Sequence, residues 1–375
     1  NAVLVTASME GITFIDSNFS ESNLKKCRFN DSIFKNTNFK EAELINAEFN
    51  NSHIQDSNLD LCNLRALKAD KLHIDKSSFI ESYFEKASLQ KSTINNSIMN
   101  YTLLDSCMLD ESFIKNTNLS NSNGANISLN KAYISDCVIE LCSFNSISAI
   151  ESKIKTARFD GSELRKSNWE FSVITNCGFT NCILFKSIFD GTTLENIDFN
   201  GSNLGESSFE EAVLKNIDFT NTILDDVVFS GANFENVNFN MARFNKNTKW
   251  PKDQKPDGFI MIGPGVTLRG QNFSNKDLSN IDFENAILTG SDFTGANLQK
   301  ANFKGALLEK CIFTGSTLSS ANLTDAKLDG AILTKTNLTG ANMENTSVKD
   351  TTYNIETRFP KSFDPRENKM RVVVS

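Results

Sequence analysis

Only two histidines occur in the 375 residues, His53 and His73. They lie 20 apart, each directly before an apolar residue that recurs every fifth position. If the chain repeats its path every 20 residues, the two imidazoles stack at one strand spacing, ~4.8 Å. Two imidazoles so placed could share a metal, with Asp56 or Asp75 beside them. The positions that would flank them, Ile33 and Thr93, supply no third ligand, so a solvated ladder is the expectation and no cofactor is called for. Eight cysteines (27, 62, 107, 137, 142, 177, 182 and 311) all fall two before an apolar centre, a small inward position. They read as small buried groups rather than a disulfide framework or a zinc knuckle. No Ser-His-Asp order or phosphate-cradling glycine loop is present, and Gly263-Pro264-Gly265 reads as a turn. An enzyme is therefore not expected.

The element that must carry these residues is set by the spacing of five. From Leu4 to Phe244 every fifth residue is a centre, almost always Phe, Leu, Ile or Met, through 49 units without an insertion. The residue two before it is nearly always Ser, Ala, Thr or Cys, and the one just before is often Asn or Asp. Five fits neither helix nor plain strand, so the chain turns a corner in every unit. Columns of one type at intervals of 20, such as Ile54 to Ile174 and Phe159 to Phe239, show that four units close one coil. The expected fold is all-β, a quadrilateral β-solenoid of about twelve coils. A second array from Leu268 to Val348 adds about four. By the strand spacing the two arrays are roughly 58 Å and roughly 20 Å long.

The motif small-(Asn/Asp)-(Leu/Phe)-x-x, clean in Ala296-Asn297-Leu298-Gln299-Lys300-Ala301-Asn302-Phe303, resembles that of the pentapeptide-repeat family. The resemblance implies a right-handed quadrilateral β-helix. It also brings two functional expectations: a non-enzymatic protein-interaction scaffold, or an acidic DNA-mimicking modulator of a type II topoisomerase. Where the centre shrinks to Ala69 or Ala149, the small position swells to Leu67 or Ile147, which conserves core volume. Gly124 has no such partner, so a kink or slipped unit is expected over 121–127.

Register breaks between Phe244 and Leu268, around Lys249-Trp250-Pro251-Lys252, and the chain closes with the similar Arg358-Phe359-Pro360-Lys361. Both resemble the terminal segment of many cyanobacterial family members. The expected domains are a first solenoid at 1–246, a proline-containing linker or cap at 247–266, a second solenoid at 267–350 and a terminal cap at 351–375. No such segment precedes Leu4, so the first coil is open, covered by residues outside the sequence, or used for association.

The net charge is −8, and the two proline segments are basic, which leaves the coils at −12. An acidic body disfavours direct nucleic-acid binding. No apolar stretch reaches membrane-spanning length. Unpaired thiols fit a cytoplasmic, reducing compartment, although the chain does not begin with Met and a removed leader or secretion is compatible with it. Two outward features are candidate partner sites. One is apolar: Tyr83 stacked under Leu103, Phe113 under Tyr133, with Ile80, Ile98, Tyr101, Met108, Val138 and Leu141 nearby. The other is the acidic column Glu170, Asp190 and Glu210. The expected partner is a protein, or a second copy of the chain.

Overall fold

Each unit turns its corner at the residue two after the centre, where the backbone enters the left-handed region: φ is 55° at Glu21, 50° at Asn36, 55° at Asn176 and 59° at Lys300. Non-glycine residues resist this conformation, and Asn resists least, which accounts for the Asn found at many corners. What holds the corners is bonding to the next coil. The corner N–H of Glu21 donates to Lys40 O at 2.8 Å; along the side that follows, Leu24 N–H donates to Glu43 O at 2.8 Å and Glu43 N–H donates back to Ser22 O at 2.9 Å. Every coil is thereby tied to its neighbours through parallel pairs 20 residues apart.

The computed structural model describes residues 2–252 and 261–374, all β and turn, with no helix among them. Four sides follow in chain order, centred in the first coil on Leu4, Met9, Phe14 and Phe19. The third side carries a twelve-stranded parallel sheet running from Thr13–Ile15 to Asn233–Asn238. Its strands lengthen from three residues to six from Val173–Gly178 onward, where pairing continues around the corner. On the first side, Asn123–Ala125 pairs with Ser143–Asn145.

The centres fill the interior as columns. Phe159 and Phe179 stack at 4.7 Å and 5°, and Phe189 and Phe209 at 4.8 Å and 6°. Rings on opposite sides meet edge to face across the interior, as Trp169 does Phe179 at 84°. Both arrangements suit the ring quadrupole. The small position donates inward hydrogen bonds: Ser52 Oγ to Phe29 O at 2.7 Å and Ser82 Oγ to Leu59 O at 2.6 Å. Cysteine can stand there because its Sγ reaches the same carbonyl, as Cys62 does Phe39 O at 2.9 Å.

Gly124 corrects one expectation. No unit slips, since Gly124 pairs in register with Phe144 and Asn123 with both Leu103 and Ser143. A Cβ at 124 would lie 2.9 Å from the Leu104 carbonyl carbon and 3.1 Å from Ile127 Cδ1. The compensating volume comes from Ile127, the small position of the following unit. An apolar cavity of about 30 Å³ remains beside it, lined by Leu104, Ile127, Leu129, Phe144 and Trp169 among others.

The chain divides into two compact units, Asn1–Asn240 with Thr248–Asp257, and Met241–Asn247 with Gly258–Ser375. Between them they hold about 18 turns. That exceeds the sixteen expected because the proline segments themselves wind on. Thr248 Oγ1 donates to Leu224 O at 2.8 Å and Trp250 stacks on Phe229 at 5.3 Å. In the second unit Ile262 pairs with Arg243. Gly263 then occupies a centre position, where a Cβ would run into Phe244 O, so only glycine fits.

Candidate interaction surfaces

Three of every five side chains face outward, and the square section decides which of them can act together. Phe113 and Tyr133 project from the third side in register, their rings 4.8 Å apart and 4° from parallel. Tyr83 and Leu103 are also paired, but on the first side. First and third sides are opposite, so the two pairs do not share a surface. Tyr83 is moreover covered by the Arg65 guanidinium, 5.0 Å from its ring. Glu85 holds that guanidinium through two bonds, at 2.5 and 2.8 Å. The group around Phe113 extends instead to the adjoining fourth side. Ile98 there is 47% exposed, and Tyr101 and Leu141, at its far corner, are 55% and 64% exposed. Phe113 itself is 38% exposed, whereas Tyr133 and Val138 are half-buried.

The acidic column lies on the second side, and its members differ in what they bond. The Asp190 carboxylate accepts from Ser208 Oγ and from Glu210 N–H, the latter at 2.8 Å. Glu170 accepts from Asn168 Nδ2 at 2.8 Å, while Glu210 is exposed. The Asp190 arrangement recurs: Asp60 with Ser78 and Ile80 N–H, Asp110 with Ser128 and Asn130 N–H, and Asp329 with Ser347 and Lys349 N–H. Such an aspartate staples one coil to the next. The signal is present in the sequence as Asp with Ser 18 residues later, but only when both are read on one side of a coil.

His53 and His73 pair in register with ring centroids 5.2 Å apart. Among the described residues no three His, Cys, Asp or Glu side chains come together as a metal site. All eight cysteines are buried and free. Burial pushes the thiols of Cys62, Cys107, Cys142, Cys182 and Cys311 up to about 12, and those of Cys137 and Cys177 up to about 11. At neutral pH they are protonated, which makes them poor nucleophiles and poor ligands. No described helix could cross a membrane.

The family model "Pentapeptide repeats" matches residues 1–36, 34–65, 265–299, 277–315 and 316–352, and "Pentapeptide repeat region" matches 172–248. No curated protein is similar to the chain at a significant level. Among solved structures it resembles a pentapeptide repeat protein from Nostoc PCC 7120, at 27% identity over 29% of this chain and 99% of that one, TM-score 0.27. A pentapeptide repeat protein of the Arabidopsis thaliana thylakoid lumen is 36% identical over 24% of this chain and 61% of its own, TM-score 0.23. QnrB1, a plasmid-mediated fluoroquinolone resistance protein, is 14% identical over 68% and 93%, TM-score 0.20.

Proposed function

We propose that this chain, which belongs to the pentapeptide-repeat family, is a non-enzymatic scaffold that holds a protein partner against the outward apolar side chains of its middle coils. The observation that carries this reading is the cluster Ile98, Tyr101, Phe113 and Leu141, each more than a third exposed and all on or beside the adjoining third and fourth sides. A solenoid needs no outward apolar groups to fold, because its core is inward. Aromatic and aliphatic anchors on a stiff frame lose little entropy on binding, which is what interface hot spots require. The rival reading, a DNA-mimicking topoisomerase modulator, needs the acidic column to present free phosphate-like charge, and Asp190 is already engaged by Ser208 and Glu210.

The test is affinity capture from the native cell with wild type and with the triple variant Tyr101→Ser, Phe113→Ser, Leu141→Ser. A partner retained by wild type and lost by the variant, with unchanged far-UV circular dichroism and melting, supports the scaffold reading. An identical partner set for both proteins refutes it.

A further inference from the structure

The coils sum to −12, yet the third side of the middle coils is positive. Three strands lie there in register, Phe113–Lys115, Tyr133–Ser135 and Lys153–Lys155. Alternate side chains of a strand share a face, so one outward column reads Phe113, Tyr133, Lys153 and the other Lys115, Ser135, Lys155. The stacked aromatic pair is thereby bordered by one lysine in the next coil and by two more along the strands. All three lysines are exposed, and their ammonium groups meet no ion-pair or hydrogen-bond partner among the described residues. Ser135, between Lys115 and Lys155, is only 3% exposed although its position is outward. The stems beside it shield it and leave the charges at the surface.

The acids around this face are already engaged. Asp136 accepts from Thr156 Oγ1 at 2.9 Å, and Asp160 accepts from Thr180 N–H at 2.9 Å. Glu140 pairs with Arg158 at 3.1 Å, Glu111 with Lys91 at 3.6 Å and Glu151 with Lys131 at 3.7 Å. What remains uncompensated is three ammonium groups around two aromatic rings, of which Phe113 is 38% exposed even in its stack. We propose that this face takes an acidic segment of the protein partner, with carboxylates on Lys115, Lys153 and Lys155 and an apolar or aromatic side chain against Phe113 and Tyr133. The inference rests on the scaffold reading above and adds the chemistry of what is held.

Charge complementarity selects this occupant. A basic segment would set like charges against three lysines, and an uncharged apolar one would strip water from them without replacing it. A long polyanion such as duplex DNA would run beyond the patch onto acidic neighbours, among them the column Glu170, Asp190 and Glu210 on the adjoining second side. A short acidic segment does not. Lys115 and Lys155 stand two strand spacings apart, about 10 Å, which an extended segment of three or four residues spans. An apolar residue within that segment then faces the ring pair, where burial adds to the attraction of the charges.

Fluorescence anisotropy with a labelled random copolymer of Glu and Tyr tests the proposal, with poly-Glu and a short duplex DNA as comparison probes. Wild type is expected to bind the copolymer about tenfold more tightly than either, and to lose affinity as salt is raised. Lys115→Glu combined with Lys155→Glu should weaken copolymer binding by about tenfold or more, with native circular dichroism. Should that pair disturb the fold, the triple variant Lys115→Gln, Lys153→Gln, Lys155→Gln should give a smaller loss in the same direction. Copolymer binding that is absent, or unaltered by the lysine variants, overturns the proposal, as does equal binding of poly-Glu or DNA. Self-association of wild type that the lysine reversal abolishes also overturns it, by giving the face to a second copy. Capture from the native cell separates this inference from the reading it rests on. A partner lost by the Tyr101, Phe113, Leu141 variant but kept by the lysine reversal overturns this inference alone, whereas an identical partner set for wild type and the apolar variant refutes the scaffold itself.

Discussion

Raising the pH should destabilise this fold through its buried thiols. Burial holds seven of them near 11 or 12, against 9.0 for an exposed thiol. A folded value above the unfolded one means that the contribution is complete below pH 9 and is lost as pH rises toward the folded value. Between those limits the unfolded chain has released a proton that the native chain retains, and each thiol costs about 1.4 kcal/mol per pH unit. Cys62, Cys142 and Cys182 are the ones to replace, because each Sγ donates to a carbonyl, Phe39 O at 2.9 Å, Leu119 O at 3.1 Å and Phe159 O at 3.0 Å. A serine hydroxyl makes the same bond at Ser52 and does not titrate. The triple Cys→Ser variant should lose stability less steeply than wild type, by about 4 kcal/mol per pH unit between about pH 9.5 and 11. Urea unfolding followed by circular dichroism under reducing conditions reads this difference, provided the m-values agree. Parallel pH profiles for the two proteins would show that the thiols do not ionise on unfolding as argued.

Two further perturbations separate packing from chemistry. Gly124→Ala should destabilise by about 1–3 kcal/mol in the same assay, because the new methyl meets the Leu104 carbonyl carbon at 2.9 Å despite the neighbouring cavity; a stabilised variant would contradict that contact. Zinc should leave the melting temperature unchanged, since His53 and His73 lack a third ligand, and calorimetric binding abolished by His73→Ala would restore a metal reading.

The inward half of every unit is legible in the sequence because its constraints are periodic. Columns such as Phe159 to Phe239 can arise only if residues 20 apart are stacked, and the measured ring spacing of 4.7 Å for the first pair is that of adjacent strands. Gly124 is misread when compensation is sought within its own unit, because the side chain that fills the space, Ile127, belongs to the next. The outward half is harder. Tyr83 and Phe113 share a coarse pattern of outward aromatics along the chain, yet one lies under Arg65 and the other on the opposite side. Distance around the coil, rather than along the sequence, governs which side chains meet. The likeness of the proline segments is visible in their composition, but their common bonding is not, since each inserts one residue: Thr248 and Thr357 Oγ1 donate to carbonyls 24 residues back, Leu224 O and Leu333 O, where Ser52 in a regular coil reaches 23 back.

That division bears on where function can be encoded. Two of five positions fix the coil, and a substitution there is felt as volume, as Leu67 beside Ala69 illustrates. The other three are free of core packing but not of structure, because some, like Asp60, Asp110 and Asp190, bond the next coil. An outward residue is informative about a partner only when it is neither inward nor engaged with the next coil. Ile98 and Tyr101 meet that condition as apolar groups, since water gives them nothing in return for their exposure, whereas Phe113, stacked on Tyr133, and Leu141, lying over Gly161, meet it only in part. The acidic column meets it only in part, because Asp190 already has a structural task, and charge on such a residue is therefore weak evidence of mimicry.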